Sequence, residues 1–401
     1  MFSLNSKDIE YLVGKNIIKS KSFKPFDNLV CEFLSEFSKN LLKNKKYRKY
    51  TDIVALAFWC SSYNLLKLKK NYDDSQIRFG RGLIFHITPS NVPTNFIYSL
   101  LFGIISGNSN IVKVPTNKFI QIDIICNELN SILKKKKYLN IKTLITILRY
   151  KDSNKNLISE QLSKICDLRI IWGGDKTINT LREFKTQPHA SDITFGDRYS
   201  LSIINADKLN RINKSGLKII TTKFFNDTYL VDQNACSSPH IVLWYSKKSI
   251  KKAAEKFWTE LNKKTNVDYT LPDIAIIEKY TNLCKDFALN EDIHKHENYS
   301  SNLMTLKLKK LKNGLENLRG RWGYFYEYEL KDLSKLKKII NKKFQTLTYY
   351  GFSKNELVNF IKDNNIQGID RIVPIGQALN MDLNWDGYDI ISSLSRKVVI
   401  K

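Results

Sequence analysis

The chain is short of the residues that cross-link or interrupt a fold. Among 401 residues there are 6 cysteines, 8 prolines and 16 glycines. Cys31, Cys60, Cys126, Cys166, Cys236 and Cys284 are widely scattered and form no Cys-x-x-Cys pair. That excludes a disulfide framework and a zinc site, so reduced thiols and no bound metal are expected. No long Gly/Ser or Pro linker and no internal repeat marks a domain boundary. No apolar run reaches the length of a membrane-spanning helix, and the N-terminal residues lack the charged-then-apolar pattern of a signal peptide. A cytoplasmic protein without a membrane span is expected. Acidic residues are also outnumbered, 39 against 65 basic ones, for a formal net charge of +26. The excess is overwhelmingly dispersed lysine. Arginine, the preferred residue for bidentate phosphate and base contacts, is scarce, so the charge reads as solvated surface and no nucleic-acid partner is expected. Such a surface suits an anionic substrate or an acidic carrier protein.

What is present is enough for two domains with real cores, at 42% hydrophobic content. Residues 1 to about 75 read as mainly helical, with helical apolar spacing in Val30–Phe37 and Ile53–Trp59. From Gly82 short apolar strands alternate with helices. Strands are predicted at Leu83–Ile87, Ile111–Val114, Thr143–Leu148 and Leu168–Trp172, and helices at Asn95–Ser106, Phe119–Lys135, Ser159–Cys166 and Lys176–Phe184. Alternation of that kind predicts a parallel, doubly wound α/β sheet. A second block begins near Ser200 with the strand Leu201–Asn205, and helices are predicted at Lys251–Asn262 and Asp332–Lys342.

Chemistry enters at Asp232-Gln233-Asn234-Ala235-Cys236-Ser237-Ser238-Pro239, a short polar loop straight after the apolar-aromatic Tyr229-Leu230-Val231. A structural cysteine usually sits among apolar neighbours. A nucleophilic one sits among backbone N–H groups and amides that stabilise a thiolate and the oxyanion it creates, and Cys236 is the only cysteine in such surroundings. Upstream, Gly82–Ile87 runs into the Pro-bracketed turn Pro89-Ser90-Asn91-Val92-Pro93. Farther on, Gly107-Asn108-Ser109-Asn110 leads into a strand closing with Lys113-Val114-Pro115.

This order of parts resembles the aldehyde dehydrogenase superfamily. Within it, Pro-Ser-Asn-Val-Pro-Thr-Asn-Phe, Asp-Gln-Asn-Ala-Cys-Ser-Ser-Pro and the late Trp385-Asp386-Gly387-Tyr388-Asp389 look like LuxC-type acyl-CoA reductases, over roughly residues 80 to 396. The resemblance implies a Rossmann-type parallel-sheet cofactor domain plus an α/β catalytic domain. Its limits are a mainly helical part at 1–78, dinucleotide binding at 79–199, thioester formation at 200–376, and a tail at 377–401 that packs on the core or an oligomer interface.

By the same resemblance Cys236 attacks an acyl carbon and becomes a thioester. Asn91 and the Cys236 backbone N–H hold the oxyanion, a role compatible with Asn91 capping its turn. Asn95 is expected at a helix start. Lys113 matches the lysine that lies against the adenosine ribose. Where many NAD-specific members carry a glutamate that holds both ribose hydroxyls, this chain has Thr116, with Lys118 two residues on. A carboxylate would repel a 2′-phosphate and lysine attracts it, so NADPH is the expected cofactor. Gly173-Gly174 resembles the turn that lets the cofactor diphosphate approach a helix, although a Gly-Gly pair also makes an ordinary tight turn. Pro374 and Gly376 fall in a segment resembling the Pro-Phe-Gly stretch that lines the active site. The glutamate that activates water in hydrolytic members is replaced by Thr194, which argues for acyl transfer and reduction over hydrolysis, and their glutamate that contacts the nicotinamide ribose is replaced by Gly320. His240 reads as a surface histidine in a loop.

The expected activity is NADPH-dependent reduction of a fatty acyl thioester to the aldehyde by a homo-oligomer, the acyl group coming from acyl-CoA or a partner acyl-protein synthetase. A reductase of an acyl phosphate or another carrier-bound acyl group, and a catalytically silent basic binding protein, are the alternatives.

Overall fold

The computed structural model describes residues 2–3, 8–15, 17–18, 20–72, 75–90, 92–150 and 155–401. The chain divides into two compact units, Met1–Gly196 with Asp382–Lys401, and Asp197–Met381.

In the first unit the strands that carry the sheet are β1 (Ile9–Val13), β2 (Leu83–Ile87), β3 (Ser109–Lys113), β4 (Ile145–Tyr150), β5 (Leu168–Trp172) and β6 (Ser191–Phe195). They lie in the order β1-β4-β3-β2-β5-β6, parallel except for β1 against β4. β2, β4 and β5 are buried along their whole length, as a parallel sheet covered on both faces requires. Helices α1 (Asn28–Lys43), α2 (Thr51–Trp59), α3 (Ser62–Lys70), α4 (Asn95–Ile105), α5 (Ile120–Leu133), α6 (Lys155–Ile165) and α7 (Asp175–Arg182) complete its main elements. The Asp27 carboxylate starts α1 by accepting the N–H of Leu29 at 2.9 Å. Strand order reverses at β2, whose neighbours are β3 and β5, and the carboxyl ends of strands beside such a reversal form the crevice where ligands of this architecture bind.

A buried polar network holds that reversal in place. The His86 Nε2 lies 3.0 Å from the Asn110 amide oxygen, which only accepts, so Nε2 carries the proton and Nδ1 accepts from the Ser99 hydroxyl at 2.8 Å. The Trp172 indole N–H donates to the same hydroxyl at 2.9 Å. β2, β3, α4 and β5 are thereby joined, and burial pushes His86 down to about 4, keeping the ring neutral.

The tail folds back on this unit. Its residues Ser395–Lys397 pair with Arg78–Gly80, and Tyr388 sits edge-on to Phe195, which stacks on Trp172 with ring centroids 3.8 Å apart. Asn384–Trp385 and Tyr388–Asp389 form a hairpin turned by Asp386 and Gly387, both at positive φ.

The second unit holds β7 (Tyr199–Asn205), β8 (Pro239–Tyr245), β9 (Ile293–Ser300), β10 (Leu303–Leu308), β11 (Tyr324–Leu330), β12 (Phe344–Tyr350) and β13 (Arg371–Pro374), in the order β9-β10-β11-β8-β7-β12-β13. Only the edge pair β9/β10 is antiparallel. Helices α8 (Lys214–Thr228), α9 (Lys251–Asp268), α10 (Asp273–Leu289) and α11 (Lys354–Asn364) flank it in sequence. Phe224 of α8, Phe257 and Trp258 of α9, Trp244 of β8 and Phe325 of β11 form one aromatic cluster. Each such buried ring stabilises the unit by about 1.5–3 kcal/mol, and both indoles donate to the buried Glu327 carboxylate at 2.9 Å.

Two sequence expectations change. Residues 9–13 form an edge strand within the stretch expected to be mainly helical, and the helix expected at Asp332–Lys342 is a 3₁₀ segment, Leu333–Lys338. Five residues of strand leave too short a pattern to read, and lysine-rich Leu333–Lys338 offers too little apolar surface for a full α-helical face.

Candidate functional site

The Cys236 loop is set between two rigid anchors, the end of α8 and the start of β8. After α8 the 3₁₀ turn Tyr229–Val231 leads to Asp232 and Gln233, both in the left-handed region at φ 53° and 57°. The strain of two non-glycine residues there has to be compensated, and the Gln233 side chain supplies the compensation. Its amide oxygen accepts the N–H of Gly323 at 2.8 Å and of Tyr324 at 3.1 Å. Its amide nitrogen donates to the carbonyls of Tyr324 and Pro239 at 3.3 and 3.4 Å. The Ser200 hydroxyl donates to the Cys236 carbonyl at 2.6 Å, and the Ser238 hydroxyl to the Asp227 carbonyl at 2.7 Å. Cys236 is thus half-buried on a loop tied at three points. Cys60, Cys126 and Cys166 are buried, and burial pushes the latter two up to about 12, which keeps them as inert thiols. Cys284 is exposed on α10.

The turn before β11 faces this loop through the Gln233 bonds. It contains Gly320, where an added Cβ would lie 1.6 Å from the Tyr324 carbonyl oxygen, so no side chain, and no carboxylate, fits without backbone movement. The Gly320 carbonyl accepts from His240 Nδ1 at 3.0 Å. That corrects the reading of His240 as a surface loop residue: it is the second residue of β8, is buried, and stacks on Tyr199 with centroids 5.2 Å apart. Burial, helped by the Arg319 charge, pushes it down to about 3, so it is neutral with its proton on Nδ1. On the other side of the same turn the buried Lys279 ammonium donates to the carbonyls of Trp322 and Ser301 at 2.9 and 2.8 Å, and burial pushes it down to about 7.

Pro374 is exposed at the end of β13, and Gly376 follows at φ 98°, where a side chain is strained and would meet Lys223. The Gly376 and Ala378 N–H groups donate to the two oxygens of the buried Asp227 carboxylate at 2.6 and 2.9 Å. Sequence reasoning missed Asp227. Burial pushes it up to about 7, with the two N–H donors and Arg371 pulling the other way.

In the first unit, five candidates lie at or just beyond the carboxyl ends of β3 and β5. Lys113 ends β3 with its ammonium 5.3 Å from the centre of the Tyr150 ring, and its carbonyl accepts from Thr88 at 2.7 Å. Thr116 follows, half-buried, and Lys118 is exposed. The Arg149 guanidinium fixes this strand end by donating to the Pro115 carbonyl at 3.1 Å. Gly173 follows β5, and Gly174 is the N-cap of α7, where an added Cβ would meet nothing within 4 Å. Protein packing therefore does not demand glycine at 174. Thr194 on β6 accepts a 3.4 Å hydrogen bond from Arg182. Asn95 is the first residue of α4. Asn91 lies outside the described residues. Among the described residues no three His, Cys, Asp or Glu gather to hold a metal ion, and no helix is long and apolar enough to cross a membrane.

Residues 61–397 match the family described as Acyl-CoA reductase (LuxC). The chain belongs to that family. The long-chain acyl-protein thioester reductase 2 of Photobacterium leiognathi is 26% identical over 184 residues, 46% of this chain and 36% of that protein. The long-chain acyl-protein thioester reductase of Aliivibrio fischeri is 25% identical over 170 residues, 41% of this chain and 32% of that protein. The chain thus spans about a third of the curated relatives it matches. Among solved structures, the aldehyde dehydrogenase KauB of Pseudomonas aeruginosa is similar with a TM-score of 0.65 at 10% identity, over 92% of this chain and 83% of that one. The expected aldehyde-dehydrogenase-like fold is the fold of this family member.

Proposed function

We propose that this chain reduces a fatty acyl thioester to the aldehyde with NADPH, through a thioester on Cys236. The observation that carries the reading is the half-buried thiol on a loop fixed by Gln233 and Ser200, bonded to a turn where Gly320 has no room for a carboxylate. The Cys236 thiolate attacks the acyl carbonyl, negative charge collects on its oxygen, and the CoA thiolate leaves as the carbonyl re-forms on the enzyme. The Asn91 amide and the Cys236 N–H donate to that oxygen. By the resemblance, Thr194 stands where hydrolytic members keep the glutamate that activates water, so the thioester lacks that base, and Gly320 stands where they keep a glutamate that contacts the nicotinamide ribose.

A nicotinamide coenzyme, when bound, supplies the hydride that turns the acyl carbon into an aldehyde. The residues of the first unit fit such a group: the open space at Gly174 admits a diphosphate at the start of α7, and Tyr150 holds the Lys113 ammonium at the strand end where a ribose would sit. Thr116 leaves room for a 2′-phosphate, and Lys118 supplies the opposite charge. By the family resemblance, Pro374 and Gly376 would contact the coenzyme. The names of the curated relatives, long-chain acyl-protein thioester reductases, support a long-chain acyl group held as a thioester. On our reading the acyl donor is acyl-CoA or a partner acyl-protein synthetase, and the enzyme is a cytoplasmic homo-oligomer.

The test is to offer acyl-CoAs of graded length, and the matching acyl phosphates, with NADPH or NADH, and to identify the product by gas chromatography. Long-chain aldehyde from acyl-CoA and NADPH is expected. Free fatty acid as the main product, or aldehyde from acyl phosphates alone, would contradict the reading.

A further inference from the structure

The turn after β13 is gripped from two sides by opposite charges. The Asp227 carboxylate, on a side chain 1% exposed, takes the N–H groups of Gly376 and Ala378. From the other side the Arg371 guanidinium donates to the carbonyls of Ala378 at 3.2 Å, Gln377 at 3.3 Å and Asn380 at 3.0 Å. The turn has no regular strand or helix to hold it, and Gly376 at φ 98° is a residue with wide conformational freedom. Bonds from the buried Asp227 carboxyl group and the half-buried Arg371 guanidinium are therefore what fix its backbone. The backbone of Asp227 meanwhile serves the other loop, since its carbonyl accepts from Ser238, two residues beyond Cys236. One residue at the end of α8 thus ties both segments by separate atoms.

We propose that Asp227, with Arg371 as its counterpart, is a positioning residue that sets the Gly376–Ala378 turn in register with the Cys236 loop. Its side chain serves the reduction step and its backbone the acylation step. The inference rests on the reading of Cys236 as the acyl acceptor and of Gly376 as coenzyme-facing.

The division between side chain and backbone makes a split that a merely structural carboxylate would not give. Asp227→Asn keeps the carbonyl that takes the Ser238 hydroxyl but replaces one of the two acceptor oxygens by an NH₂ group facing an N–H. Ser238→Ala does the reverse. Two single-turnover rates separate the steps: acylation of Cys236 by palmitoyl-CoA without coenzyme, read by intact mass, and aldehyde release from the pre-acylated protein on mixing with NADPH.

Asp227→Asn is expected to slow aldehyde release by about tenfold or more, with acylation within about twofold of wild type, as for loss of a positioning contact. Ser238→Ala is expected to slow acylation more than release. Equal losses in both steps, or none in either, would overturn the proposal. If Asp227→Asn does not fold, Arg371→Gln, which loosens the same turn from its more exposed side, is expected to show the same split. Hydrogen exchange supplies an arm independent of chemistry: the Gly376 and Ala378 amides should be protected in the wild type and exchange at least tenfold faster in the variant, and unchanged exchange would overturn the clamp. A wild-type protein that takes no acyl group would instead fail the reading of Cys236, and the exchange result would still decide whether Asp227 holds the turn.

Discussion

The amide oxygen of Gln233 accepts the N–H of Gly323 at 2.8 Å, across a sequence separation of 90 residues. It joins the loop that carries Cys236 to the turn that leads into β11, and the amide nitrogen of the same side chain adds bonds to the Tyr324 and Pro239 carbonyls. Removing the side chain would leave two buried N–H groups without an acceptor. Gln233→Ala should therefore lower the unfolding free energy by about 2–4 kcal/mol, measured by urea titration. Gln233→Glu should be no better, because its second oxygen would face the Pro239 and Tyr324 carbonyls.

Asn91→Ala should lower kcat by on the order of 10²-fold with little change in coenzyme affinity, as when one oxyanion donor is lost. Steady-state kinetics with separate measurement of NADPH binding check this. An unchanged kcat would leave Asn91 as a cap of its own turn.

Thr116→Glu should weaken NADPH use by about one to two decades in KM and affect NADH much less, since a carboxylate repels a 2′-phosphate and accepts hydrogen bonds from a free ribose. A wild-type protein with tighter NADH binding, or an unchanged NADPH/NADH ratio in the variant, would count against the coenzyme assignment.

Lys279 gives a pH dependence of known sign. Burial lowers it from 10.5 to about 7, so between those values the unfolded chain binds a proton that the folded chain does not. Stability therefore rises with pH from about 7 to 10.5, and the cost of burying this group is fully present at pH 7 and below. Urea midpoints of the wild type and Lys279→Met, taken at steps across pH 7 to 10, should diverge with a slope of about one proton. Parallel curves would mean that Lys279 stays charged in the fold.

What could be read from the sequence was what is written locally. The strands Leu83–Ile87 and Leu168–Trp172 are continuous apolar runs flanked by turn residues, and they stand in the structure at the same limits. The polar loop of Cys236 announces itself by contrast with the apolar residues before it. His240 and Asp227 were not legible for the opposite reason. The environment of His240 comes from Tyr199 and from a carbonyl 80 residues away. Asp227 sits on a helix where a carboxylate ordinarily faces water, and its partners lie 149 and 151 residues on. Gly320 is informative only once the Tyr324 carbonyl is seen 1.6 Å from where its Cβ would be. Long-range closure of that kind leaves no period or motif behind.

The central claim is that sulfur at position 236 carries the acyl group. Intact-mass spectrometry after incubation with palmitoyl-CoA, without coenzyme, measures that directly. The account predicts one acyl adduct on the wild-type protein, released by hydroxylamine as a thioester is, and none on a folded Cys236→Ala variant, which should also form no aldehyde. An adduct that persists in Cys236→Ala, or one that maps to the exposed Cys284, would contradict it.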